Sequence, residues 1–165
     1  MDVLLASLID TLVALPEHPS VEGLRNAISK TKVLEIPLDE YVRFSDKGDA
    51  RHNVYGSRRC EIKVLCLKKG QVTPINDHGG AIGATVIRGG SMTEEFFNRQ
   101  SGGLIVPIST RKASINEITT VDVSTIHRVS NVSREGLITI NIYFPPLTMM
   151  NIYNLENTQV EKWYP

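Results

Sequence analysis

Between residues 46 and 146 the chain consists of short runs rich in Val, Ile and Thr, separated by clusters of Gly, Asn, Asp and Ser. The runs fall at Glu61–Leu67, 84–88, 103–108, 113–119 and Leu137–Phe144. This rhythm constrains the fold more than any other feature. Runs of this length bounded by turn formers predict strands, and strands so regularly spaced predict a β-sandwich or barrel. Pro145 and Pro146 stop the last run, because proline has no backbone N–H to give to a ladder.

The first 45 residues follow a different period. Val3, Leu4, Leu5, Leu8, Ile9, Leu12, Val13 and Leu15 recur at three- and four-residue steps, as on a helix face. Pro16 and Pro19 end that helix. Ser20 is placed to cap a second one, with Val21, Leu24, Ala27 and Ile28 on one side. Residues 39–44 suit a third short helical turn. Residues 147–165 form a mixed tail with Tyr153, Trp163 and Tyr164, expected to pack across the barrel. With no repeat and no internal linker, the expectation is one domain over 1–165: a helical layer (1–45), a barrel (46–146) and a tail (147–165).

A length of 165 residues suits one domain with a substantial core. The 18 Lys and Arg balance 18 Asp and Glu, which argues against a basic nucleic-acid-binding face and gives no support to binding an anionic membrane. No apolar run approaches the ~20 residues that span a bilayer. The opening stretch carries Asp2 and Asp10 and lacks a basic n-region, so it does not read as a signal peptide. Cys60 and Cys66 lie six apart on one expected strand, facing the same side, which is the wrong geometry for a bridge. Two reduced cysteines suit a cytoplasmic protein. The sequon Asn131-Val132-Ser133 carries little weight without a secretory signal.

Of the four histidines, His18 sits between prolines and reads as a solvated loop residue. Strand alternation turns His52 away from the face that carries Arg51. His78 and His127 are different. Asn76 and His78 are two apart, so on a strand both point to one face, and His127 follows 49 residues later at the start of another strand pair. Two polar positions on one face plus a distant histidine is how a barrel builds a metal site.

These stretches resemble a known family. Residues 70–90 are similar to the first cupin motif, a glycine followed after five residues by a His-x-His pair. The run from His127 to Pro146, HRVSNVSREGLITINIYFPP, resembles the second half of the cysteine dioxygenase family, with its His-Arg-x-x-Asn-x-Ser, Ser-x-His-x-Tyr and Pro-Pro elements. Arg51-His52-Asn53-Val54-Tyr55 resembles that family's Arg-Asn strand. The resemblance spans roughly residues 45–147. It implies a cupin β-barrel of jelly-roll type with an N-terminal helical layer. It also implies a non-haem Fe(II) held by three histidines, with L-cysteine and dioxygen as small-molecule substrates and cysteine sulfinate as product. Imidazoles suit Fe(II), and three neutral ligands leave positions for a thiolate and for oxygen.

Residue by residue, Arg51 matches the arginine that binds the substrate carboxylate. His78 and His127 match two metal ligands, and Tyr143 matches the active-site tyrosine. Gly83 stands where some members carry a cysteine crosslinked to that tyrosine, so the thioether is impossible here. Two positions depart. Asn76 replaces the first histidine of the pair, and Asn141 replaces the histidine of the Ser-x-His-x-Tyr element, with Thr139 at the serine position. A carboxamide oxygen is a poorer Fe(II) ligand than imidazole, so metal binding is expected to be weakened.

The leading expectation is an iron-dependent thiol dioxygenase acting on L-cysteine or a close carboxylated thiol, inside an apolar barrel wall that includes Ile75, Val86 and Ile140. Plainer roles stand beside it. His78 and His127 are then core hydrogen-bonders in a site that lost its metal, Arg51 is a partner for Asp49, Tyr143 is a core tyrosine, and Asn76 bonds only a neighbour or water. A catalytically silent cupin binding a small amino acid or thiol, and a divergent two-histidine oxygenase, are the rival functions.

Overall fold

The computed structural model describes residues 1–165. Helix α1 (Val3–Val13) begins where the Asp2 carboxylate accepts from the N–H groups of Leu4 and Leu5 at 2.9 and 3.1 Å, and it buries Leu5, Leu8, Ile9 and Leu12. Helix α2 (Val21–Ser29) is capped by Ser20, whose hydroxyl accepts from Gly23 N–H at 2.9 Å, and it buries Leu24 and Ile28. A single 3-10 turn follows at Val33–Glu35. The helical turn expected at 39–44 is present as a single turn from Leu38 and goes no further. Tyr41 and Val42 donate to the Leu38 carbonyl at 2.8 and 3.0 Å, and the Arg43 carbonyl is then taken by His52 Nε2 at 2.8 Å instead of by a further turn.

Eleven strands follow: β1 (Ala50–Gly56), β2 (Glu61–Leu67), β3 (Ile75–Asn76), β4 (Ile82–Gly89), β5 (Ser91–Arg99), β6 (Ile105–Ser114), β7 (Ile118–Val121), β8 (Ile126–Ser130), β9 (Leu137–Phe144), β10 (Met150–Tyr153) and β11 (Glu161–Trp163). They form a five-stranded sheet in the order β1-β2-β9-β4-β7 and a six-stranded sheet in the order β11-β10-β3-β8-β5-β6. Strands β2 and β9 have the expected bounds. The run expected at 113–119 is broken at Asn116, whose φ of 77° turns the chain between β6 and β7; asparagine enters that region more readily than other residues with a Cβ. The tail joins the second sheet instead of merely lying across the barrel, since β10 pairs with both β3 and β11.

Alternation along β9 divides the two faces. Ile140 and Ile142 pack with Ile62, Val64, Val86, Cys60 and Cys66 against the helices, in the largest apolar cluster of the molecule. Thr139, Asn141 and Tyr143 take the opposite face, toward the barrel interior. Val86 and Ile140 therefore do not wall the interior. Ile75 also lies outside it, packed with Phe97, Ile105, Ile126 and Tyr153. At the end of the barrel near Tyr143 the apolar wall is Ala81, Leu147 and Met150. Both cysteines are free and buried, and burial pushes their thiols up in pKa. No helix is long and apolar enough to cross a membrane.

Candidate metal centre

Strand register fixes most of the site. Asn76 on β3 lies directly opposite His127 on β8, and His127 lies opposite Phe96 on β5. His78 arrives from the loop just beyond β3. That loop is held by Asp77, whose carboxylate accepts from Gly79 N–H at 3.0 Å, from the Asn151 amides and from the Tyr153 hydroxyl at 2.7 Å. Gly79 has φ +60°, and a Cβ there would stand 2.2 Å from the Met149 carbonyl oxygen, so only glycine allows the turn that sends His78 inward.

The two imidazoles meet Nε2 to Nε2 at 3.1 Å, and the Tyr143 ring packs edge-on to His78 with centroids 4.9 Å apart. His78, His127 and Tyr143 are all buried. Burial, with the nearby His127 and Arg51 as smaller causes, pushes His78 well below the ordinary histidine pKa and favours the neutral ring. Burial raises the Tyr143 pKa against the opposing pull of Arg51, so the phenol keeps its proton at neutral pH.

Arg51 reaches the same end of the barrel from β1. Its Nε donates to Asp49 Oδ2 at 2.8 Å, and both side chains are largely shielded. It lines an open cleft of about 630 Å³ with Asp49, Lys63, Met150, Ile152 and Trp163. The imidazoles and the phenol do not line this cleft, but Arg51 is close enough to act on both Tyr143 and His78. The histidines and Tyr143 thus come together directly, and Arg51 adjoins them from the cleft side. His52 points away and bonds Arg43, as alternation requires. Asn141 does not extend toward Tyr143. Its amide donates to Thr139 Oγ1 at 2.8 Å, and its carbonyl accepts from Thr85 Oγ1 at 2.9 Å.

The donor set can be tested against a metal. Two nitrogens each about 2.1 Å from one ion and at right angles stand ~3.0 Å apart, close to the 3.1 Å between the imidazoles. Beside them, Asn76 Nδ2 donates to the Pro74 carbonyl at 2.9 Å, while its Oδ1 is buried without any partner. A buried carbonyl oxygen with nothing to accept is costly, and a cation would satisfy it. No third His, Cys, Asp or Glu completes the set. Two imidazoles and a carboxamide oxygen therefore fit an ion, with a weaker third donor than imidazole.

The sequence reading missed Glu94. It is buried on β5, its Oε2 lies 2.6 Å from His127 Nδ1, and its Oε1 accepts from Arg111 Nε and Nη2 at 3.0 and 2.5 Å. Burial works against its ionisation, but the bonds and charges of His127 and Arg111 outweigh it and hold the carboxyl below its ordinary pKa. The available signal was parity. Glu94 shares a face with Met92 and Phe96, where a carboxylate needs a partner.

Solved structures similar to this chain are built on the same fold. They include the TT1209 protein of Thermus thermophilus (TM-score 0.57, 15% identity, covering 67% of this chain and 96% of that one). A Klebsiella pneumoniae protein with a double-stranded β-helix domain is also similar (TM-score 0.58, 18% identity, covering 72% and 96%). So is an oxalate oxidase in complex with glycolate (TM-score 0.51, 13% identity, covering 61% and 53%). The architecture is thus a cupin barrel with two N-terminal helices. The model of the family described as cysteine dioxygenase type I matches residues 24–156. With most of its length accounted for by that match, this chain belongs to the cysteine dioxygenase type I family.

Proposed function

We propose that the protein is an iron-dependent thiol dioxygenase whose substrate is L-cysteine or a closely related carboxylated thiol. The observation that carries this reading is the convergence of the His78 and His127 Nε2 atoms at 3.1 Å beside an unpartnered Asn76 oxygen, in a chain of this family. His78 and His127 would hold Fe(II), with Asn76 or a water completing the set. The chemistry that iron supplies when bound is activation of dioxygen beside a thiolate. In balance, RS⁻ and O2 give RSO2⁻, with both oxygen atoms on sulfur and no other reactant.

The remaining steps belong to the protein. Asp49 occupies Arg51 Nε and leaves the paired Nη edge for a substrate carboxylate, which favours bidentate capture. Tyr143 stays protonated and donates a hydrogen bond toward the sulfur or the oxygen added to it. Ala81, Leu147 and Met150 pack with Tyr143 and keep bulk water from the phenol.

Iron per chain and oxygen uptake with cysteine test the reading. Stoichiometric iron and a sulfinate product support it; a protein that takes up no metal and makes no sulfinate overturns it. The carboxamide at position 76 favours one other reading, a catalytically silent cupin that binds an amino acid or thiol. Cysteine binding without metal or oxygen uptake would establish that alternative.

A further inference from the structure

His127 is held on three sides. Phe96 stacks on its ring at 6.5 Å between centroids and 24° between planes. His78 faces Nε2, and Glu94 takes Nδ1. Arg111 stands behind two of these neighbours. It grips Glu94 through Nε and Nη2, lies over the Phe96 ring at 5.0 Å, and donates from Nη2 to the Thr120 carbonyl at 3.2 Å. Thr120 is on β7 in the other sheet, so the clamp bridges both walls of the barrel.

The two oxygens of Glu94 divide the work: Oε1 serves Arg111 and Oε2 serves His127. A carboxylate only accepts hydrogen bonds, so the proton between Oε2 and Nδ1 belongs to the imidazole. In a neutral His127 the other nitrogen, Nε2, then carries the lone pair. That nitrogen faces His78.

We propose that Glu94, clamped by Arg111, is a positioning residue that fixes His127 with Nδ1 protonated and Nε2 presented as a ligand in the space shared with His78. This rests on the reading of that space as an ion site. Its weight is greater in this chain than with three imidazoles. Asn76 offers a weak neutral oxygen, so the basicity and aim of the two remaining nitrogens decide whether an ion is held. A carboxylate on the far side of a ligating imidazole raises that basicity, and its loss typically weakens metal affinity by about 10–100-fold.

The test pairs two readouts on the full chain. Nitrogen-15 NMR of labelled histidines reports the His127 tautomer without metal, and titration with Co(II), followed by its visible absorption, reports affinity. The wild type is expected to hold the Nδ1–H tautomer. In Glu94→Gln a second tautomer should appear, because the amide can donate as well as accept, and Co(II) affinity should fall about 10–100-fold. Arg111→Met, which leaves Glu94 in place but unclamped, should fall in the same direction by less, and it carries the comparison if Glu94→Gln does not fold. An unchanged tautomer in Glu94→Gln, or equal Co(II) affinity, overturns the proposal. A tautomer shift in a protein whose wild type binds no Co(II) upholds the positioning of His127 and overturns the ion reading.

Discussion

The Tyr153 hydroxyl donates to Asp77 Oδ2 at 2.7 Å, joining β10 to the residue between Asn76 and His78. Burial, then the bond and charge of Asp77, push the Tyr153 pKa from 10.0 up to about 12. A pKa raised by folding gives stability that is complete below the unfolded value and lost as pH rises through the folded one. Wild type should therefore exceed Tyr153→Phe in stability by about 1 kcal/mol at neutral pH, discounted for exposure. The margin should shrink above pH 10 and vanish toward pH 12. Urea unfolding of both proteins across pH 7–11 measures it, and a margin that widens with pH would contradict the assignment.

Asn76→His should convert the weak oxygen donor into a third imidazole opposite His127. The expected result is higher iron occupancy, with Co(II) affinity raised at least tenfold, since the loss of a mere outer partner of a ligand already changes affinity by about 10–100-fold. Isothermal titration with Co(II) reads it directly. If affinity stays flat while the variant folds, the two histidines do not define an ion site.

At Gly83 an added Cβ would lie 3.4 Å from Cδ1 and Cε1 of the Tyr143 ring and 3.2 Å from Val121 Cγ2. Gly83→Cys would place a thiol against that ring. In aerated, iron-loaded protein a thioether is expected between Sγ and the ring, with the two displaced hydrogens passing to dioxygen. Mass spectrometry should then show a chain two hydrogens lighter, and the metal-free protein should not show it. An unmodified cysteine in iron-loaded protein would count against oxygen chemistry beside Tyr143.

What the sequence disclosed follows from where interactions close. Strands β2 and β9 were legible to the residue because their outward faces are unbroken apolar patterns buried under the helices. Strand β5 was hidden because Thr-Glu-Glu breaks the pattern, and Glu94 is tolerated there only by partners 17 and 33 residues away. The family resemblance implies that His78 and His127 meet, and the structure has their Nε2 atoms 3.1 Å apart. The wall assignment of Ile75, Val86 and Ile140 failed because a strand pattern shows alternation without showing which face is inside. In a barrel whose outer face is covered by helices, both faces are buried, and here the polar residues Thr139 and Asn141 face inward.

Arg51 offers the sharpest test of substrate class. With Asp49 holding Nε, the Nη edge is the group in the cleft suited to a carboxylate in two-point contact. Arg51→Ala should cost about 2–3 kcal/mol of binding, since bonds to charged groups contribute about 1.5–3 kcal/mol. That corresponds to a fall of ~30–150-fold in kcat/KM for cysteine. The same variant should act on cysteamine, which has no carboxylate, nearly as wild type does. Arg51→Lys should recover only part of the loss, because a point charge cannot reproduce the two-point geometry. Equal losses on both thiols would mean that Arg51 serves the barrel through Asp49 and not the substrate.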